Sequence, residues 1–369
     1  MKHKKEHIIT MSVFCTFLVA MLLFYIALPK SDFSELEKRN LQDFPAVSFE
    51  SIADGKFGND IETYLADHMP FRDFFVSLNS YFDLITGRQP SSDIYLTKNK
   101  ALTEAPARLN EDSLGKNMKA INNFAVKAEI PVDFMIVPSA GYASRDRISG
   151  LSKEYLDREY IEKIYSATNG INTVNVTDIF DNPSLYYKTD HHWTSEGAYT
   201  AYEAYMKTIG KDYRSKNEFS VETVEGFYGS TYSRAALWLL PAESLELWTG
   251  SQNITVTNGE SDTSHKGIFY RDKLLETDKY TVFLDGNHST VKIHNPDAKT
   301  KDTILVVRDS YSNCLGGFLA ESFETVILVD LRYYKKPVSE LCTAENVTNI
   351  LICYSLSNFL TDANIIWLR

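Results

Sequence analysis

The sequence predicts an α/β fold built on a parallel sheet, preceded by one membrane-crossing helix. Three observations carry that reading. The near-continuous apolar segments Thr303–Val307, Thr325–Val329 and Asn349–Tyr354 alternate with helical segments at about 311–322 and 338–345. Strands that are apolar at nearly every position are those covered on both faces, as parallel strands between helices are. A similar order occurs earlier, where Leu114, Met118, Ile121 and Ala125 recur at helical spacing before the proline-bounded segment Pro131–Pro138; this reads as a helix followed by a buried strand. Finally, the run Ile8–Leu28 carries no charge and is long enough at helical rise to cross a bilayer.

Taken in order, residues 1–7 form a short tail with Lys2, Lys4 and Lys5, and residues 8–28 form the anchor. Acidic residues Asp32, Glu35 and Glu37 follow it, so the positive-inside bias places the N-terminus in the cytoplasm and the rest outside. A cleaved signal peptide is the alternative. Ile26-Ala27-Leu28-Pro29 offers no small-residue cleavage site, which favours an uncleaved anchor. Residues 29–90 read as a stalk, polar and proline-punctuated to about Ser51, followed by amphipathic helices. Phe71, Phe74, Phe75, Leu78, Phe82 and Ile85 paint one apolar stripe after Pro70, expected to be a packed or docking face. Residues 91–369 form the main domain. Within it, about 211–300 is rich in Thr, Tyr and Gly and predicts a β-rich insertion over the sheet edge.

The formal net charge is −11, and residues 1–30 hold four lysines against one glutamate, which leaves −14 for the remainder. Such a surface disfavours nucleic acid and suits a neutral partner. Of four cysteines, Cys15 lies in the span and Cys314, Cys342 and Cys353 beyond it. Three cannot all pair within one chain, and there is no C-x-x-C pair, so they read as small buried hydrophobes.

Two segments carry chemistry. Asp190-His191-His192-Trp193 precedes a helix that Thr194 is placed to cap, and Arg308-Asp309-Ser310 lies where a buried strand runs into a helix. The carboxyl ends of parallel strands form the ligand crevice of open α/β sheets. A serine there can act as a nucleophile if a base activates it. His192 is the candidate base and Asp190 the residue to orient its imidazole. The plain alternative for Asp309-Ser310 is a helix cap. A metal site of Asp190, His191 and His192 ranks lower, because adjacent residues of an extended segment point to opposite sides; no metal is expected.

The Asp190-His191-His192-Trp193 tetrad resembles the namesake motif of the bacterial DHHW family. The resemblance extends to Asp67-His68-Met69-Pro70-Phe71-Arg72-Asp73, Phe227-Tyr-Gly-Ser, Gly286-Asn287-His288 and Arg308-Asp309-Ser310-Tyr311-Ser312-Asn313. That family is similar to the SGNH-hydrolase-like proteins of alginate and related exopolysaccharide O-acetylation. The resemblance implies a three-layer SGNH-like sandwich with circularly permuted motif order, Asp190 and His192 upstream and Ser310 downstream. Arg308 departs from the glycine of the G-D-S pattern. Oxyanion or substrate contacts fall to Asn287, Arg332 and Tyr311, with Ser139–Gly141 as another place for them. The implied function is O-acetylation of a cell-surface polysaccharide without a cofactor in the exported domain. Acetyl would be delivered by a multi-pass membrane O-acyltransferase. An acetyl esterase using the same three residues and a non-catalytic glycan-binding protein are the alternatives.

Overall fold

The computed structural model describes residues 2–34, 39–91, 93–148, 150, 152–259, 261 and 263–369. Glu35 and Glu37, two of the acids that follow the apolar run, lie outside these residues. The chain divides into two compact units.

The first unit runs to Pro90 and includes Ser233–Trp238. Its longer helices are α1 (Lys2–Ala27), α2 (Lys56–Asp67) and α3 (Arg72–Ile85). Within α1, the 23 residues Lys5–Ala27 are long and apolar enough to cross a membrane, the one such stretch among the described residues. At the end of α2 the buried Asp67 accepts two hydrogen bonds from Arg39, at 2.9 and 2.5 Å, and one from the Gln42 amide. The Arg39 guanidinium holds this carboxyl down at about 2, against the opposing effect of burial. Asp67 of the Asp-His-Met-Pro motif is thus a buried tie between segments. The stripe on α3 is not packed into a core: Phe74, Leu78 and Phe82 are half exposed and Ile85 is 84% exposed. Phe74 does stack on Trp238, with ring centroids 5.8 Å apart.

The second unit holds an eight-stranded sheet. Its strands are β1 (Val132–Val137), β2 (Asn172–Thr173), β5 (Thr255–Asn258), β6 (His265–Lys266), β7 (Thr290–His294), β8 (Thr300–Arg308), β9 (Phe323–Val329) and β10 (Asn349–Ser355), in the spatial order β6-β5-β7-β9-β8-β10-β1-β2. From β9 to β2 the neighbours are parallel. From β9 outward through β7, β5 and β6 they are antiparallel. The sheet is therefore mixed, with the expected parallel part at its centre. The insertion does not merely lie over the edge: β5, β6 and β7 extend the sheet in its own plane. Its other two strands, β3 (Ser220–Phe227) and β4 (Glu243–Thr249), pair only with each other.

Helices cover both faces. Leu114, Met118 and Ile121 of α4 (Glu111–Lys127), with Ile161 and Ile164 of α5 (Asp157–Ser166), pack against Phe134, Leu305, Val307 and Ile350. Ala198, Tyr202 and Tyr205 of α6 (Ser195–Thr208), with Leu315 and Phe318 of α7 (Ser312–Leu319), pack against Met135, Ile304, Val306 and Leu351. Successive residues of β8 thus serve opposite layers, as the period of a strand requires. Each such buried side chain contributes about 1.5–3 kcal/mol, against ~0–1 kcal/mol for a surface ion pair, so the two apolar layers dominate the stability of the sandwich. Cys314 and Cys353 are buried free thiols within it.

Candidate active site

β8 is buried from Ile304 through Arg308, and the chain then turns through Asp309, Ser310 and Tyr311 into α7. The buried Asp309 holds that turn in place. Its Oδ1 accepts from the Tyr311 amide at 3.0 Å, and its Oδ2 accepts from the Ser355 amide, the Ser355 hydroxyl and Asn358 Nδ2, each at 2.8 Å. Asp309 is therefore neither a simple helix cap nor free for chemistry; it clips the turn after β8 to the end of β10. The amides of Ser312 and Asn313 bond back to the carbonyls of Asp309 and Ser310. The Ser310 amide has no acceptor among the described residues.

Upstream, Thr194 caps α6 by accepting from the Gly197 amide, which fixes the loop just before it. Glu243 accepts from the Lys188 and Thr189 amides and the Thr189 hydroxyl. Trp193 donates its indole N–H to the Tyr311 carbonyl at 3.1 Å, and the Tyr311 hydroxyl donates to the His191 carbonyl. The two motifs, 118 residues apart, are thereby laced together.

Ser310 Oγ lies 2.8 Å from His192 Nε2, and His192 Nδ1 lies 2.5 Å from Asp190 Oδ1. When Nδ1–H donates to the Asp190 carboxylate, Nε2 is left as the acceptor for the serine hydroxyl. Asp190 also accepts from the His192 amide at 2.9 Å and the Ser230 amide at 2.6 Å. Burial alone would raise its carboxyl, but the two imidazoles and these hydrogen bonds outweigh it and hold Asp190 well below the usual carboxylate range. The Tyr280 ring stacks on His192 at 3.9 Å and 9°, which fixes the plane of the imidazole.

The remaining residues singled out from the sequence fall in different places. Leu284, Asp285 and Gly286 take φ of 60°, 62° and 80° in succession. Left-handed backbone costs a non-glycine residue about 1–2 kcal/mol, and the turn it makes carries Asn287. Asn287 Oδ1 accepts from Arg308 Nη1 at 2.9 Å and Asn313 Nδ2 at 3.1 Å, so the carboxamide NH2 is turned away from both. Arg308, fully buried, stands where an SGNH pattern has glycine, yet its guanidinium points to Asn287 and lies 3.9 Å from Asp330. The departure is accommodated without separating Ser310 from His192. Arg332 is a bidentate partner of Asp330, through Nε at 2.9 Å and Nη2 at 2.6 Å. His191 donor and acceptor geometry overturns one expectation: its ring lies 3.9 Å from that of His192 rather than on the opposite side. The ligand atoms of Asp190, His191 and His192 all fall within 4.8 Å of one another. What competes with ligation here is that both nitrogens of His192 are already engaged.

The sequence profile of the DHHW protein family matches residues 110–329, which is more than half of the chain. The chain belongs to the DHHW family. No curated protein matches it. Among solved structures, it is similar to a DHHW family protein from Eubacterium siraeum, with 21% identity over 73% of this chain and 96% of that one and a TM-score of 0.63. It is also similar to Bacillus cereus PatB1, with 23% identity over 74% of this chain and 99% of that one and a TM-score of 0.62. PatB1 with a sulfonyl adduct gives 21%, 76%, 99% and 0.63. These likenesses establish a shared fold, and the DHHW protein described here has a three-layer α/β architecture, a mixed sheet with helices on both faces.

Several residues of this DHHW protein that shape the site carried no role in the sequence. The Ser230 amide serves Asp190, and the Ser230 hydroxyl lies 2.6 Å from His191 Nδ1. Gly229 abuts the same acid: a Cβ there would stand 2.2 Å from Asp190 Cβ. The Phe227-Tyr-Gly-Ser motif was the available signal for both. Tyr280 had none, since a lone tyrosine in a β-rich stretch is indistinguishable from core.

Proposed function

We propose that this DHHW protein is a membrane-anchored extracytoplasmic O-acetyltransferase that acetylates a cell-surface polysaccharide. The continuous series from Ser310 Oγ through His192 to Asp190 carries that reading. Ser310 Oγ attacks the acetyl carbonyl of the donor as His192 Nε2 takes its proton. Asp190, held ionised, stabilises the imidazolium without accepting that proton. The oxyanion faces the Ser310 amide, with the Asn287 NH2 as the second donor. Collapse breaks the bond to the donor oxygen, which leaves with the proton from His192, and Ser310 is left acetylated. A sugar hydroxyl then enters, loses its proton to His192, attacks the acyl carbonyl and departs as the acetyl ester, restoring Ser310. The sulfonyl adduct captured on PatB1 supports this chemistry, because sulfonyl electrophiles are trapped by activated hydroxyls.

In this reading the N-terminal lysines stay in the cytoplasm and the second unit faces outward. A multi-pass O-acyltransferase carries acetyl across the membrane, since acetyl-coenzyme A is cytoplasmic.

The full chain, incubated with p-nitrophenyl acetate, should release acetate and, with a glycan present, form acetylated glycan. A sulfonyl fluoride should label Ser310. Ser310→Ala should abolish labelling and lower kcat/KM by about 10³-fold or more, and Asp190→Asn by about 10²–10⁴-fold. Undiminished turnover in Ser310→Ala would refute the assignment, and acetate release with no acylated glycan would make the protein an esterase.

A further inference from the structure

In the first unit, α3 turns its apolar side outward. The residues it buries are Ser77 and Ser80, whereas Phe74, Phe75, Leu78, Phe82 and Ile85 are exposed, and Phe71 just before it extends the same stripe. Ser80 donates its hydroxyl to the Val76 carbonyl at 3.2 Å, so the inner side is small and polar. A helix bathed in water does the reverse and packs its apolar stripe against the protein. A contiguous apolar surface left outside marks a place where something apolar lies. We infer that α3 lies along the outer leaflet of the bilayer that α1 crosses, with the stripe against the acyl chains. The inference rests on the reading of α1 as an anchor and adds to it a second membrane contact.

The position of the stripe identifies the occupant. Phe71 meets Phe24, in the last turns of α1, with ring centroids 5.4 Å apart. Beside Phe24, Tyr25 carries the Lys30 ammonium over its ring at 3.3 Å, and Lys30 donates to the Tyr25 carbonyl at 2.8 Å. A tyrosine and a lysine at the outer end of a span sit where headgroups meet acyl chains. Successive residues of a helix differ by only ~1.5 Å in height, so Phe24 and Phe71 stand at that boundary and α3 starts from it. Phe24 is itself exposed, which makes the stripe continuous with the lipid-facing side of α1.

Composition agrees. Four of the stripe residues are phenylalanines, and Trp238 stacks on Phe74 while keeping part of its ring exposed; aromatic rings concentrate at the membrane interface. Charge plays no part: α3 holds Arg72 against Asp73 and Asp83, so it has no basic side for anionic headgroups, and burial of apolar surface alone drives the contact. A neutral lipid should therefore suffice. Because α1 never leaves the bilayer, the stripe meets lipid at a high effective concentration, which a soluble partner would have to displace.

Nitroxide labels on the full chain in phosphatidylcholine vesicles test this. Cys314 and Cys353 are buried, so in a Cys342→Ser background Cys15, exposed on α1, takes the label. With Cys15→Ala added, Leu78→Cys, Phe82→Cys and Asp73→Cys are labelled one at a time; Asp73 is exposed on the far side of the helix from the stripe. Labels at 78 and 82 should lie about 5–10 Å below the headgroups, with a ratio of collisions with oxygen to collisions with a water-soluble nickel chelate at least about threefold that at 73. Water-like ratios at 78 and 82 overturn the inference. So do low collision rates with both reagents there, which mean that a second copy of the chain covers the stripe. The Cys15 label separates the two readings: deep in lipid while 78 and 82 are in water, it defeats this inference alone, and in water itself it defeats the anchor.

Discussion

Asp157 is buried at the start of α5, where its Oδ1 accepts from the Ser139 amide at 2.7 Å. Burial lifts this carboxyl to about 6, against the pull of Ser139 and Arg145. In the unfolded chain it returns to about 3.9, so the native state binds the extra proton between those values. Stability from this group is complete below about pH 4, declines as pH rises through about 6 and is constant above, a loss of about 2–3 kcal/mol. Asp157→Asn keeps an acceptor oxygen and removes the titration. Denaturation across pH 4–7 should therefore show the variant gaining on the wild type by that amount; parallel curves would count against it. The residues of the candidate site were legible because Ser310, His192 and Asp190 stand in distinctive motifs and bear their chemistry in side chains. The partners of Asp190 were not, since the amide that Ser230 supplies is the same on every residue but proline.

At the scale of elements, Asp309 joins two adjacent strand ends and the first turn of α7. Truncation by Asp309→Ala would leave the Ser355 amide, the Ser355 hydroxyl and the Asn358 carboxamide without their acceptor in a buried place. Stranded donors of this kind cost about 1–3 kcal/mol each when they find no water, so a loss of about 3 kcal/mol or more is expected in urea denaturation. Sulfonyl labelling of Ser310 should slow as well, because the turn that presents it loosens. A variant within 0.5 kcal/mol of wild type would remove the clip from this account. β1, β8, β9 and β10 were readable because their central residues are buried on both faces and nearly all apolar. The short strands β5 and β6 were not, since a few polar and β-branched residues can suggest a strand but not which neighbour it joins. The stripe on α3 shows the limit of periodicity, which identifies an apolar face without saying what covers it.

For the whole molecule, the order of parts along the chain matters more than their separation. Asp190 and His192 come before the central strand β8, which leads into Ser310, and the fold brings the three side chains together beside the parallel strands β9-β8-β10-β1-β2. At the N-terminus, α1 provides a span of about 34 Å at helical rise, enough for a bilayer. The full chain should stay in the membrane pellet after alkaline carbonate extraction, and protease added to spheroplasts should remove the second unit while sparing the lysine-rich tail. Release into the carbonate supernatant would replace the anchor with a cleaved signal sequence. The bare backbone at Gly229, meanwhile, works as a check letter outside the tetrad. A relative that spells Asp-His-His-Trp but carries any side chain at the matching place has lost the room its acid occupies, and its membership of the family would say nothing of that silence.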